Sequence, residues 1–295
     1  MNKILITGAN GFLGYYLTKL LWETGYTVIA SGRGESRLPF HGDRYEYVSF
    51  DFTQKQEVDH AIAILQPAIV VHCGAISKPD ECERDRENAF LNNVVATVHL
   101  LKACERVGAK FIFLSTDFVF DGTKGMYREE EERKAVNYYG QTKILAEDEV
   151  MQYPHPWAIV RTVLVYGKPV ASRENLLTVV AKALESNKPL TIFSDQVRTP
   201  TYVEDLAAGI LHIIEKQATG IFHLSGLDIL SPYQMAVAVA NYLQLDASLI
   251  KAITENDLKE PAKRPQKTGF TITKAQRELD YQPISFAEGL AKTFS

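Results

Sequence analysis

A short apolar run, Lys3-Ile4-Leu5-Ile6-Thr7, leads directly into Gly8-Ala9-Asn10-Gly11-Phe12-Leu13-Gly14. Residues Tyr15 to Glu23 then carry the length and period of a helix that stops at Gly25. A strand, a glycine turn and a helix start in this order permit few folds. The turn brings backbone N–H groups to the positive end of a helix, where a pyrophosphate is held. Gly8 permits the turn, Gly11 leaves room for phosphate, and Gly14 lets helix and strand approach closely. The glycines stand three apart, a variant of the G-x-G-x-x-G spacing.

The rest of the chain repeats that alternation. Short apolar strands are expected at 3–7, 26–30, 46–50, 68–73, 109–115 and 157–162, with helices at 12–24, 54–65, 84–106 and 137–151. Such alternation gives a parallel sheet with helical crossovers. Runs such as Ala68-Ile69-Val70-Val71 suit strands covered on both faces. Ligands then gather beyond the carboxyl ends of the strands, where Gly8, Ser31, Asp51, Gly74 and Thr116 fall. Beyond Tyr166-Gly167 the pattern loosens. Helices are expected at 174–186, 203–215, 232–244 and 285–293, with one more strand at 220–224. The expected class is α/β, a Rossmann doubly wound parallel sheet with a smaller mixed C-terminal substrate lobe. Residues 1–165, with 201–224 returning to them, form the dinucleotide-binding domain; 166–200 and 225–295 form the lobe.

At the end of the second strand stands Ser31-Gly32-Arg33, with no acid. An Asp or Glu there suits a free ribose hydroxyl, and an Arg suits a 2′-phosphate. NADP(H) is therefore favoured and NAD(H) stays open, since Glu35 is a rival that could reach the ribose. Near the middle the chain reads Asn137-Tyr138-Tyr139-Gly140-Gln141-Thr142-Lys143. Tyr139 and Lys143 share one helix face. An ammonium beside a phenol favours the phenolate and lowers the tyrosine pKa, which suits Tyr139 to proton transfer with a substrate oxygen. Tyr138 is the rival acid but lies off the Lys143 face.

Composition excludes other classes. The 295-residue chain has a net charge of −4 and dispersed basic residues, which argues against nucleic acid or an anionic membrane. No apolar run approaches the length of a membrane span, and Gly8, Asn10 and Gly11 interrupt the first one before a signal core is complete. The three cysteines and seven histidines show no metal spacing, so no metal is expected. Cys73, Cys82 and Cys104 read as free thiols of a reducing, cytoplasmic compartment, with Cys73 and Cys104 in the core. The run Arg128-Glu129-Glu130-Glu131-Glu132-Arg133-Lys134 reads as a solvated loop before the active helix.

Thr7-Gly8-x-x-Gly11-x-x-Gly14 with Tyr139-x-x-x-Lys143 resembles the extended short-chain dehydrogenase/reductase family. Ser115-Thr116-Asp117-Phe118-Val119-Phe120-Asp121-Gly122 resembles, more narrowly, its dTDP-4-dehydrorhamnose reductase group, enzymes of carbohydrate biosynthesis that act on nucleotide sugars. Arg161-Thr162-Val163-Leu164-Val165-Tyr166-Gly167, the segment Asp195 to Ala207 and Lys263-Arg264-Pro265 fit the same group, so the likeness spans essentially the whole chain. The resemblance implies a reductase in which Tyr139 protonates a carbonyl oxygen and Thr116 donates to that oxygen, with Ser115 as a rival donor. Lys143 would hold the nicotinamide ribose. Asn10, Phe12, Leu13, Ser31, Arg33, Asp51, Phe52, Gly74 and Ala75 would border the cofactor beside the three glycines, though Asp51 also reads as a helix cap. Asp117, Asn175 and Arg198 are candidates for the nucleotide-sugar substrate. Sugar 4,6-dehydratases carry Asp-Glu after the threonine; here Phe118 follows Asp117, which argues against water elimination. An epimerase, a cofactor-binding regulatory subunit without turnover, and a homodimer stay open.

Overall fold

In the computed structural model, which describes residues 3–170, 174–258 and 260–295, seven parallel strands make one sheet. The expected starting boundary at residue 1 and positions 171–173 of the expected lobe lie outside the described residues. In chain order the strands are β1 (Lys3–Thr7), β2 (Thr27–Gly32), β3 (Tyr45–Ser49), β4 (Ile69–His72), β5 (Lys110–Thr116), β6 (Trp157–Thr162), β7 (Val165–Tyr166), β8 (Leu190–Phe193), β9 (Thr201–Tyr202), β10 (Gly220–His223) and β11 (Ile250–Ile253). The main sheet runs β10-β6-β5-β4-β1-β2-β3. The strand order reverses between β1 and β4, and that is where a doubly wound sheet opens a crevice.

The helices are α1 (Phe12–Glu23), α2 (Lys55–Leu65), α3 (Pro79–Arg84), α4 (Arg86–Phe90), α5 (Ala96–Glu105), α6 (Tyr138–Met151), α7 (Leu176–Glu185), α8 (Val203–Glu215), α9 (Pro232–Leu243), α10 (Thr273–Leu279) and α11 (Phe286–Phe294). The two-residue period of the strands sorts the core into two layers. Ile4, Ile6, Val28, Ala30 and Ile112 meet α1 and α8 through Leu17, Leu21, Leu206 and Ile210. Leu5, Ile29, Val70, Phe111 and Phe113 meet α2, α5 and α6 through Val58, Ile62, Leu100 and Val150. Each such fully buried aliphatic side chain stabilises the fold by roughly 1.5–3 kcal/mol. A third cluster joins α7, α9 and α11 through Leu177, Val180, Met235, Val239 and Leu290, beside the small parallel pair β8 and β11.

The expected single helix over 84–106 is broken. Asp85 leaves helical geometry and caps α4 by accepting the Asn88 N–H at 3.0 Å. Leu91–Val95 then widens into a π-helical turn before α5. There the Asn92 carboxamide donates to the Asn88 carbonyl at 2.9 Å, and Asn93 is turned to a distant partner. Small polar side chains compete for backbone in this way. Strands β7, β8, β9 and β11 and helix α10 carry too little periodic signal to read from sequence.

Candidate active site

Beyond the carboxyl ends of β1, β4 and β5 lies a cleft of about 790 Å³. Its floor is the glycine turn. Gly8 sits at φ +72°, and a Cβ there would stand 2.7 Å from the Gly74 nitrogen across the crevice. At Gly14 an added Cβ would meet the Gly8 carbonyl at 2.4 Å. Helix α1 starts with Gly11 at its N-cap and no capping side chain, so the uncapped first-turn amides suit an anion. The cradle and the bare helix start fit a dinucleotide diphosphate. Gly8, Asn10, Gly11, Phe12, Leu13 and Gly14 all line this cleft, as do Gly74 and Ala75.

Asn10 builds the adjoining end. Its carboxamide donates to the Glu35 carbonyl at 3.1 Å and accepts the Arg37 N–H at 2.9 Å. The loop after β2 therefore turns Arg33 and Arg37 into the cleft wall beside Phe52. Arg37 was not read from sequence, although a second arginine four residues after Arg33 was there to see. Two expected neighbours are not in the wall. Ser31 is buried within β2, where its carbonyl accepts the Ala9 N–H at 2.9 Å. Asp51 bends back instead, accepting from the Thr53 N–H at 2.9 Å and hydroxyl at 2.8 Å. Nor is it a helix cap, since Gln54 holds that place for α2. Cys73, expected in the core, is partly exposed and lines the cleft.

Helix α6 carries Tyr139 and Lys143 into the opposite wall. Asn137 caps it, accepting the Gly140 N–H at 2.9 Å and donating to the Lys263 carbonyl at 2.7 Å. Tyr139 is 9% exposed and meets Phe118 edge-on at 5.7 Å. Tyr138 lies outside the wall, its ring under the Arg86 guanidinium at 5.0 Å. Lys143 donates to the Leu114 carbonyl at 2.7 Å and lies over the Phe113 ring at 3.9 Å. The expectation that Lys143 brings the Tyr139 phenol towards neutrality is not met. Burial pushes the Tyr139 phenol well above its usual range, with the nearby Thr116 hydroxyl working against burial. Burial also pushes the Lys143 ammonium down to about 7, against the pull of Glu147.

Thr116 ends β5 and lines the cleft with Asp117. Its hydroxyl donates to the Asp117 carboxylate at 3.0 Å and accepts the Phe118 N–H at 3.3 Å. Ser115, the rival donor, is buried and lines the same cleft. Asp117 is buried, which raises its pKa, while Arg198 and the hydroxyls of Thr268 and Thr116 favour its charge. Arg198 also lines the cleft, but its donors are committed within the chain. They reach the Val197, Gln266 and Pro265 carbonyls at 2.9, 3.0 and 2.7 Å, and Nε lies 3.6 Å from Asp117. Asn175 stands outside the wall. It caps α7 by accepting the Leu177 N–H at 3.1 Å and donates to the Gly167 carbonyl at 2.7 Å.

Two further side chains hold the site together. Asn93, from the π-helical turn, accepts the Ile76 N–H at 2.8 Å and donates to the Ile76 carbonyl and the Thr142 hydroxyl, each at 3.0 Å. It thus ties the segment after β4 to α6. Asn93→Ala removes three bonds, one of them buried, and a loss of about 2–3 kcal/mol is expected in urea unfolding. Its signal in the sequence was an Asn-Asn pair inside an apolar helix. Across the cleft mouth, Arg264 pairs with Asp80 through two bonds of 2.8 and 2.7 Å. Among the described residues no helix is long and apolar enough to cross a membrane.

Comparison with known proteins accords with this geometry. The family model described as the RmlD substrate binding domain matches residues 1–295. The dTDP-4-dehydrorhamnose reductase of Bacillus anthracis, solved in complex with NADP, superposes with a TM-score of 0.85 at 27% identity, covering 99% of this chain and 98% of that one. Methionine adenosyltransferase 2 subunit beta of Xenopus tropicalis is 34% identical over 86% of this chain and 76% of its own length. The Bacillus subtilis spore coat polysaccharide biosynthesis protein SpsK is 31% identical over 86% of this chain and 84% of its own. With its glycine cradle, its Tyr139 and Lys143 on one helix and this match over its full length, the chain belongs to the RmlD substrate-binding-domain family of extended short-chain dehydrogenases/reductases.

Proposed function

We propose that the protein is an NADP(H)-dependent reductase of a nucleotide-linked 4-keto sugar, similar to dTDP-4-dehydrorhamnose reductase. The observation that carries this reading is the convergence of Thr116, Tyr139 and Lys143 on one wall of the cleft whose floor is the glycine cradle. When bound, the nicotinamide supplies the hydride. Tyr139 gives its phenolic proton to the carbonyl oxygen. Its raised pKa keeps that proton in place until charge builds on the oxygen. Thr116 contacts the same oxygen. Lys143 would hold the ribose hydroxyls of the bound cofactor, and Phe52, Gly74 and Ala75, which line the same cleft, would border it. Residues 166–200 and 225–295 serve as the substrate lobe, with Asp117 and Gln196 at its boundary with the cleft. Oxidation of NADPH with a panel of nucleotide 4-keto sugars tests the reading; absence of turnover with every sugar overturns it.

Arg33 and Arg37 both line the cofactor end, with the Asp51 carboxylate 4.0 Å from Arg33, and guanidinium pairs well with phosphate oxygens. Replacing both by Ala is expected to reduce the preference for NADPH over NADH roughly 100-fold, from two charge-assisted contacts. Fluorescence titration of both cofactors checks this, and an unchanged ratio refutes the assignment. A second reading, a cofactor-binding subunit without turnover, is favoured by the 34% identity to methionine adenosyltransferase 2 subunit beta. It predicts tight NADPH binding with no sugar reduction.

A further inference from the structure

One turn beyond Lys143 on α6 stands Glu147, wholly buried. Residues four apart share a helix face, and the Glu147 carboxylate favours the charged form of Lys143. Arg161, itself 1% exposed on β6, donates to both Glu147 oxygens at 2.9 and 2.7 Å. Arg133 adds a third bond at 3.2 Å and reaches Asp148 at 2.7 Å. The charged run 128–134 is thus not a solvated loop throughout: Arg133 is packed on α6 with 21% of its side chain exposed, and Glu129 accepts the His223 N–H at 3.1 Å. A buried ion pair is a weak source of stability, because desolvation cancels most of the attraction. Its lasting effect is a fixed charge.

The other groups facing Lys143 are uncharged near neutral pH. From β5 come the Leu114 carbonyl and the Phe113 ring. From β4 and its end come His72, pushed down to about 3 by burial, and Cys73, pushed up to about 12. From α3 comes Cys82, pushed up to about 11. Tyr139, on α6 itself, stays protonated. Glu147 is held ionised by Arg161 and Arg133 against the cost of its burial. It is therefore the anion that Lys143 faces among the described residues.

We propose that Glu147 is a positioning residue that keeps Lys143 charged, and that Arg133 sets how much of that charge Lys143 feels. The catalytic consequence rests on the reductase reading, in which a charged Lys143 holds the ribose. The direct readout does not: it is the titration of Lys143 followed by NMR of the full chain labelled with 13Cε-lysine, the resonance being assigned by its loss in Lys143→Met. In Glu147→Gln the midpoint falls, and in Arg133→Gln it rises, each by about half a unit or more. Opposite signs are the signature, because loosening α6 would move both variants the same way. Shifts of the same sign, or none, overturn the proposal. Should Glu147→Gln fail to fold with Arg161 left unpaired, Arg133→Gln decides alone, and a fall or no change overturns it. A protein whose midpoints shift as stated but which reduces no sugar supports this proposal and removes the reductase reading.

Discussion

Tyr139→Phe is expected to lower kcat by roughly 10²- to 10⁴-fold, the usual contribution of a positioned general acid. NADPH affinity should change by less than about twofold, because the interaction lost is made in the transition state. The ring stays, and with it the edge-on contact to Phe118 at 5.7 Å, so stability should hold within about 1 kcal/mol. The raised pKa of the buried phenol fixes its sign in the pH profile. Tyr139 remains protonated across the working range, so a limb near neutrality belongs to Lys143, whose ammonium is pushed down to about 7. That limb falls as pH rises and the ammonium is lost. Steady-state kinetics beside a fluorescence titration check the split. Turnover unchanged in Tyr139→Phe removes the tyrosine from the chemistry.

Gly140→Ala is expected to be strongly destabilising. On helix propensity alone the change should stabilise α6 by about 1 kcal/mol. The contact decides otherwise. The new Cβ would stand 2.1 Å from the Phe118 carbonyl oxygen and 2.8 Å from the Ala135 Cβ. The first of these is backbone and cannot rotate away. Overpacking of this kind costs about 1–3 kcal/mol, and more where backbone must move. At roughly 2–4 °C per kcal/mol for a chain of this size, a fall of about 5–10 °C in Tm is expected. Activity should fall with it, since α6 carries Tyr139 and the displaced turn carries Thr116 and Asp117. A Tm within about 1 °C of the parent would contradict the contact.

The main sheet was legible because its signals are local. Lys3–Thr7 and Ile69–His72 are apolar runs, and Gly8, Gly11 and Gly14 mark a turn that few other residues could make. Tyr139 and Lys143 stood out by their spacing, and Thr116 by the resemblance of Ser115 to Gly122 to the reductase group. The electrostatics were not legible, because burial is a tertiary property. Spacing put an ammonium beside a phenol, whereas packing turned Lys143 to the Leu114 carbonyl and made desolvation the larger effect on both groups. Asn175 and Arg198 were read without their partners for a related reason. Their side chains looked free for a ligand, but Asn175 spends its amide on a helix cap and Arg198 its donors on three carbonyls. The run 128–134 misled by composition, since charges were read as solvated before their counter-ions on α6 and β6 were known.

The return of β10 to the edge of the main sheet has a consequence during synthesis. Strand β6 is complete at Thr162, but the strand that pairs with its outer edge is Gly220–His223. Helix α8, which covers α1, also emerges late, at Val203–Glu215. A ribosome adding about 5–20 residues per second leaves that edge and that apolar face uncovered for several seconds. Open strand edges invite pairing with other chains. The nascent protein is therefore most exposed to misassembly in the interval between its sixth strand and its tenth.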